Sequence, residues 1–328
     1  MAKADIQIHE NTAPRPASLS GLRFREDVAF TNAKGEEDKG TRKRVNKALE
    51  KLGDVLQRAM GQDEAVLYAV RLQAPIGAFE QYGLGWYVYR ITATVLVFTN
   101  RRILHLGVDA SGKWKGSLKS VAYGDIAKAE PKGWLSGVLW LTYKNGKKEK
   151  YWGMRGDGVR KMKALFAALL PASGGESTPA AGMASLCPDC LAPLTEKVYQ
   201  CAGCGLVFKD EGTMKKRALL IPGGGYFYCG QTLLGVLGLI GEAWLILLIV
   251  IFAIAAAATW GKPPAKPDDL GAVGMLVTAV LVLGILMLEK LLVIHHCRRL
   301  LRDFISTGQK DPMRMQSAGA GGGSGGWK

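Results

Sequence analysis

The spacing of polar and apolar positions changes several times along the chain, and each change marks an element. Residues 1–40 hold Pro, Gly, Asn, Lys and Glu with no sustained period, which predicts a mostly disordered arm. The next stretch turns helical. Val45, Leu49, Leu52, Leu56 and Ala59 recur at alternating steps of four and three, on one stripe of an amphipathic helix over 41–62. Lys43, Arg44, Lys47, Lys51 and Arg58 occupy its other faces. Such a helix suits a membrane surface or a coiled coil, but a repeat of barely two heptads fits better a helix packed on the next domain.

From Ala65 the period shortens to that of strands. AVLYAVRLQ is one strand, and YRITATVLVFTNRRILHLGV is two, broken at Thr99-Asn100. SLKSVAYGDIAKAE continues the pattern. GVLWLTYKNGKKEKYWGM predicts a hairpin, with Asn145-Gly146 supplying the positive backbone angles of its turn. A helix follows, N-capped by Asp157, with Val159, Met162, Leu165, Phe166 and Leu169 as its stripe and Pro171 as its end.

The run VLVFTNRRILHL, the segment YGDIAKAE, the hairpin LTYKNGKKEKYW and the closing helix together resemble a bacterial pleckstrin-homology-like domain over 63–171. That resemblance implies a strongly bent, antiparallel, partly open barrel, plugged at one end by the C-terminal helix. Such domains bind or scaffold and do not catalyse. The resemblance assigns no ligand residue.

Residues 172–186 have the composition of a linker. A segment over 187–210 follows with the sharpest chemical signal in the chain. Cys187-Pro-Asp-Cys190 and Cys201-Ala-Gly-Cys204 are two C-x-x-C pairs separated by residues 191–200. Each pair can point two thiolates at one ion, and Gly205 permits the turn after the last ligand. Four thiolates fill a tetrahedral site and leave no position for water, so the expected zinc is structural. The segment resembles a minimal zinc ribbon with Cys187, Cys190, Cys201 and Cys204 as ligands. Between the pairs stand one Lys, no Arg and only Tyr199 as an aromatic, a poor footprint for nucleic acid.

Two further stretches are apolar for longer than the ~20 residues that cross a bilayer core. Leu233 to Ala258 is interrupted only by Glu242, and Gly271 to Ile294 only by Glu289 and Lys290. The short Pro-rich loop between them predicts an antiparallel hairpin over 219–296. Its opening, LLIPGGGYFYCG, resembles the start of small two-transmembrane hairpin domains and reads as a pliable entry to the first span. Lys209, Lys215, Lys216 and Arg217 precede the spans and Arg298, Arg299 and Arg302 follow them, against Lys262 and Lys266 in the loop. This asymmetry predicts a multi-pass protein of the inner, cytoplasmic membrane with both termini, including the tail 297–328, in the cytoplasm. Glu242, Glu289 and Lys290 fall at similar depth in such a hairpin. They read as a structural cluster in preference to an ion pathway.

Composition adds a net charge of +15 over 328 residues, which favours anionic partners, above all the headgroups of the bilayer beside it. Arg101, Arg102, Lys144, Lys147, Lys148 and Lys150, grouped at two turns, are the candidate contacts to an anionic lipid or a protein partner. The paired cysteines fit a reducing compartment. No nucleophile elbow, phosphate loop or metalloprotease helix is present. The whole reads as a multidomain α+β chain: a membrane-anchored, non-enzymatic binding or scaffold protein. The alternative is an oligomeric transport or channel-like component, and tethered nucleic-acid binding is a weaker third reading.

Overall fold

A computed structural model describes residues 15–16, 21–75, 91–134, 136–172, 178, 181–262 and 271–310. Part of the expected linker, most of the Pro-rich loop between the spans, and the tail beyond residue 310 lie outside them. The chain divides into two compact units, residues 1–206 with 311–328, and residues 207–310.

The first unit is built on one large sheet. Its central strands are β3 (Val66–Gln73), β4 (Ala93–Thr99), β5 (Arg102–Val108) and β6 (Trp114–Ala122), each antiparallel to the next. A second meander, β7 (Ile126–Lys132), β8 (Gly137–Tyr143) and β9 (Lys148–Met154), joins it where Gln73 pairs with Trp152. Every residue of β4 is buried, and β8 alternates buried with half-buried positions, as expected where one face meets a core.

The expected barrel does not close. The free edge of β6 is taken by β10 (Ala184–Leu186), which places Ala184 opposite Ser120 and Leu186 opposite Leu118 and itself pairs with β11 (Pro193–Leu194). Two strands from beyond the closing helix thus extend the sheet at the edge that closure would need. Residues 184–186, expected in a linker, are part of the sheet.

The hairpin turn also differs. Gly146 has φ +81° but Asn145 does not take a positive φ, and Gly146 N–H donates to Tyr143 O at 3.0 Å. This is a three-residue loop ending in a left-handed glycine, in place of a two-residue turn with both central angles positive.

Residues 21–38 are ordered and not a disordered arm. β1 (Arg15–Pro16) pairs with β2 (Arg23–Phe24), and α1 (Glu26–Ala29) follows. Leu22, Phe24, Val28 and Phe30 are buried, with the Phe24 and Phe30 rings 5.4 Å apart. A strand, one helical turn and a loop follow within a few residues, so no single period registers. The expected helix over 41–62 is two, α2 (Lys39–Leu49) and α3 (Gly53–Ala59). Asp38 caps α2 by accepting from Gly40 N–H and Thr41 N–H. The break falls beside Gly53, yet Val45, Leu49, Leu52, Leu56 and Ala59 are all buried. α4 (Gly156–Ala172) lays Val159, Met162, Leu165, Phe166 and Leu169 on the sheet, with Phe166 edge-on to Phe98 at 5.6 Å. Asp157 sits in its first turn and pairs with Arg44.

The second unit contains α5 (Glu211–Leu220), α6 (Gly224–Tyr228), α7 (Thr232–Thr259) and α8 (Ala272–Leu301), with β12 (Leu206–Phe208) paired to β13 (Ser306–Lys310). Helices α7 and α8 pack together, are 28 and 30 residues long, and are apolar enough to cross a bilayer. At 1.5 Å per residue each exceeds the ~30 Å of hydrocarbon. Helix α8 continues past Ile294, and part of the expected tail is the strand β13. The glycines after Pro222 are packed, not pliable. Gly223 takes φ +66° and lies so near α7 that a Cβ would come within 2.1 Å of Gly235 O.

Candidate functional site

The cysteine cluster is formed by two turns of the same design. Leu191 N–H donates to Cys187 O and Gly205 N–H to Cys201 O, both at 3.0 Å, so each C-x-x-C closes on itself. The amides of Asp189 and Cys190 point at Cys187 Sγ, and those of Gly203 and Cys204 at Cys201 Sγ. Cys187 and Cys201 are buried. The four sulfurs lie within 4.8 Å of one another, with Cys187–Cys204 at 3.6 Å and Cys190–Cys201 at 3.4 Å, and none is in a disulfide. A tetrahedral zinc with ~2.3 Å bonds to sulfur spaces its ligands about 3.8 Å apart. The donor set fits, and the cluster can hold a metal ion such as zinc. The two turns are not equal. Gly205 has φ +71°, whereas Leu191 adopts φ +62° with a side chain. Leu191 packs against the core of the sheet, which offsets the steric cost of that angle.

The six basic residues expected at the turns separate. Arg102 is not a free surface cation: it pairs with the buried carboxylate of Glu64 at 3.0 Å and donates to Ala59 O at 2.8 Å. Burial works to raise the Glu64 pKa, but Arg102, the Gly61 N–H and the Thr99 hydroxyl hold it below the ordinary carboxylate value. Arg101 reaches Asp63 at 3.7 Å, and Lys147 reaches Glu149 at 3.5 Å. Lys144 and Lys148 are exposed. Lys150 lies between two rings, 3.5 Å above Trp152 and 4.7 Å from Trp140.

The register places these residues in a set the sequence did not reveal. Lys148 is opposite Thr142, Lys150 opposite Trp140, and Trp152 opposite Val138. Beyond them β7 brings Lys128 to Thr142, Glu130 to Trp140 and Lys132 to Val138. Directly paired residues share a face, so four lysines, two tryptophans and one glutamate occupy one outer face. Behind it, the Tyr143 and Tyr151 hydroxyls both donate to Glu149 Oε2, at 2.8 and 2.7 Å. Burial acts to raise the Glu149 pKa, and these hydroxyls hold it down.

In the helical unit, Glu242 and Lys290 form a buried ion pair between α7 and α8. Lys290 also donates to Ala218 O at 2.7 Å, and Gly223 N–H donates to Glu242 Oε1 at 3.1 Å. Glu289 stands beside them, and its Oε2 is buried with no hydrogen-bond partner among the described residues. Near the end of α8, the Tyr226 hydroxyl lies 3.2 Å from His296 Nδ1. Among the described residues only the four cysteines gather as a metal-binding group.

Sequence reasoning missed Lys161. It lies in the stripe region of α4, is 2% exposed, and donates to the carbonyls of Val28 at 2.6 Å, Ala29 at 3.3 Å and Thr31. It caps the end of α1 from a position more than a hundred residues later in the chain. No local signal could have found it.

Compared with protein-family models, with curated proteins and with solved structures, the chain matches none.

Proposed function

We propose that this chain is a membrane-anchored binding or scaffold protein. Helices α7 and α8 hold it in the cytoplasmic membrane with both termini inside. Its strand-rich unit is a divergent relative of pleckstrin-homology-like domains, opened by the added strands β10 and β11. The carrying observation is the reversal of polarity in the helical unit. Leu237, Ile240, Trp244, Val280 and Leu281 face outward while Glu242 and Lys290 face inward, which suits a hydrocarbon solvent. The lysine–tryptophan face of β7, β8 and β9 supplies the binding surface. Its charge suits anionic headgroups, and tryptophan favours the bilayer interface. The four cysteines hold a structural zinc, because four thiolates leave no open coordination position.

Three measurements test the reading. Ala265→Cys should react with an impermeant thiol reagent in intact cells, and labelling of the termini instead would invert the topology. In nanodiscs containing phosphatidylserine, amine labelling of Lys148 and Lys150 should fall relative to phosphatidylcholine discs. Equal labelling would remove the lipid surface as partner. Elemental analysis should find one zinc per chain, lost with Cys201→Ser.

A second reading, an oligomeric transport or channel-like component, is favoured by the unpartnered carboxylate oxygen of Glu289. It requires ion flux in proteoliposomes that Glu289→Gln abolishes.

A further inference from the structure

The strand-rich unit contains a cavity of about 460 Å³, away from the cysteine cluster and lined by no residue of the β7–β8 face. That size lies within the range of small-molecule sites. Its floor is made by Tyr68, Ala69, Val95 and Met154, all buried. Helix α2 contributes Arg44 and Lys47, three residues apart on one face, and Lys51 follows its end. Arg71 comes from β3 and Arg155 from the residue before α4. Five cations thus meet two carboxylates, Glu50 and Asp157.

Most of those cations are occupied. Arg44 pairs with Asp38 and Asp157, Lys51 donates to Ser111 O, and Arg71 donates to Asp109 O and Ala110 O. The side chains of Lys47 and Arg155 make no ion pair or hydrogen bond among the described residues. A third unused group lies at the floor. Tyr68 is 4% exposed, and its hydroxyl makes no hydrogen bond among the described residues. The hydroxyl stands beside Gly158, where a Cβ would lie 3.6 Å from it. Burial raises its pKa to about 12, so it remains a donor at any physiological pH. Asp157 and Gly158 belong to the first turn of a 17-residue helix, whose N–H groups have no partner within the helix. Unused donors of three kinds therefore converge on one cavity: two cations, the hydroxyl of Tyr68 and a helix N-terminus.

We propose that this cavity binds a small organic phosphate with an apolar or aromatic body. The phosphate sits against Arg155, Lys47 and the first turn of α4, and the body lies on Tyr68, Val70 and Met154. A phosphate ester matches the surplus of cations better than a single carboxylate, because its dianion accepts from several donors at once. A soluble nucleotide and a phospholipid headgroup share this chemistry.

The test uses the full chain in phosphatidylcholine nanodiscs at low salt, titrated calorimetrically with AMP, glycerol 3-phosphate and adenosine. At least one phosphate ester should bind saturably at one per chain, and adenosine should bind at least about tenfold more weakly than AMP. Arg155→Ala and Lys47→Ala, both at exposed positions, should each weaken the bound ester by about tenfold, while Lys163→Ala, exposed and outside the cavity, should not. Tyr68→Phe should weaken it severalfold without altering the melting temperature beyond the shift seen for Lys163→Ala. AMP binding favours a soluble ligand. Glycerol 3-phosphate binding that is displaced by phosphatidylserine in the disc favours a headgroup. Failure of both esters to bind, or binding undiminished by Arg155→Ala and Lys47→Ala, overturns the proposal.

Discussion

Lys161 in the strand-rich unit and Lys290 in the helical unit are both buried, and they are satisfied in opposite ways. Lys161 meets only uncharged acceptors, the carbonyls at the end of α1, with the Tyr68 ring 4.8 Å away. Lys290 meets a full negative charge on Glu242 as well as one carbonyl. The surfaces around them differ in the same sense. The strand-rich unit hides its apolar residues and exposes charge. The helical unit exposes Ile240, Ile254 and Leu281 and hides its charges. Where the surroundings are aqueous, a buried ammonium can shed its proton to nearby water. Where they are hydrocarbon, a counter-ion is the stable answer.

The largest test of this contrast is Glu242→Ala, which leaves Lys290 uncompensated and should cost about 3–5 kcal/mol. Unfolding of the chain in bicelles measures it. The double change Glu242→Leu with Lys290→Met should recover most of that loss, and no recovery would mean the pair is not coupled.

Next is the outward face. Leu281→Lys puts a charge among the outward apolar residues of α8 and should cost up to about 3 kcal/mol in a membrane-insertion assay. The same change at Trp134, 84% exposed in the strand-rich unit, should stay within about 0.5 kcal/mol by denaturant titration. Equal costs at the two positions would erase the distinction between the two surfaces.

Lys161→Met removes the cap on α1 and leaves carbonyls buried without donors. A loss of about 2 kcal/mol is expected by denaturant titration, with the N-terminal segment the first to become protease-sensitive. No change in its protection would mean that Lys161 does not hold it.

The last effect is a pH slope, small over any one pH unit. Burial lowers the Lys161 pKa from 10.5 to about 7 in the folded state, so between these values the unfolded chain binds the extra proton. Stability should therefore rise with pH across that window, by at most about 1.4 kcal/mol per pH unit, and this component should be flat below it. Comparison of wild type with Lys161→Met isolates it. A difference that falls as pH rises would reverse the sign.

The legible parts of this chain were those in which neighbours in sequence carry the signal. The two C-x-x-C pairs announced a metal-binding cluster because each turn is closed by its own backbone. The strands from Val66 to Met154 and the helix after Gly156 followed from periods of two and 3.6, and the long apolar helices from composition alone. The ordered segment at 21–38 was illegible because its buried residues change period within a few positions.

Tertiary structure alone decided which distant groups meet. It laid β10 on the edge of β6, which keeps the sheet open, and it took Arg102 from the surface to neutralise Glu64. It gave Glu242 the Gly223 amide and Lys290 the Ala218 carbonyl as further partners, and it brought Lys161 to α1. The physical reason is common to all of these. A buried polar group needs a donor or acceptor, but nothing in local spacing says which one, because that choice is made by packing between segments far apart in the chain.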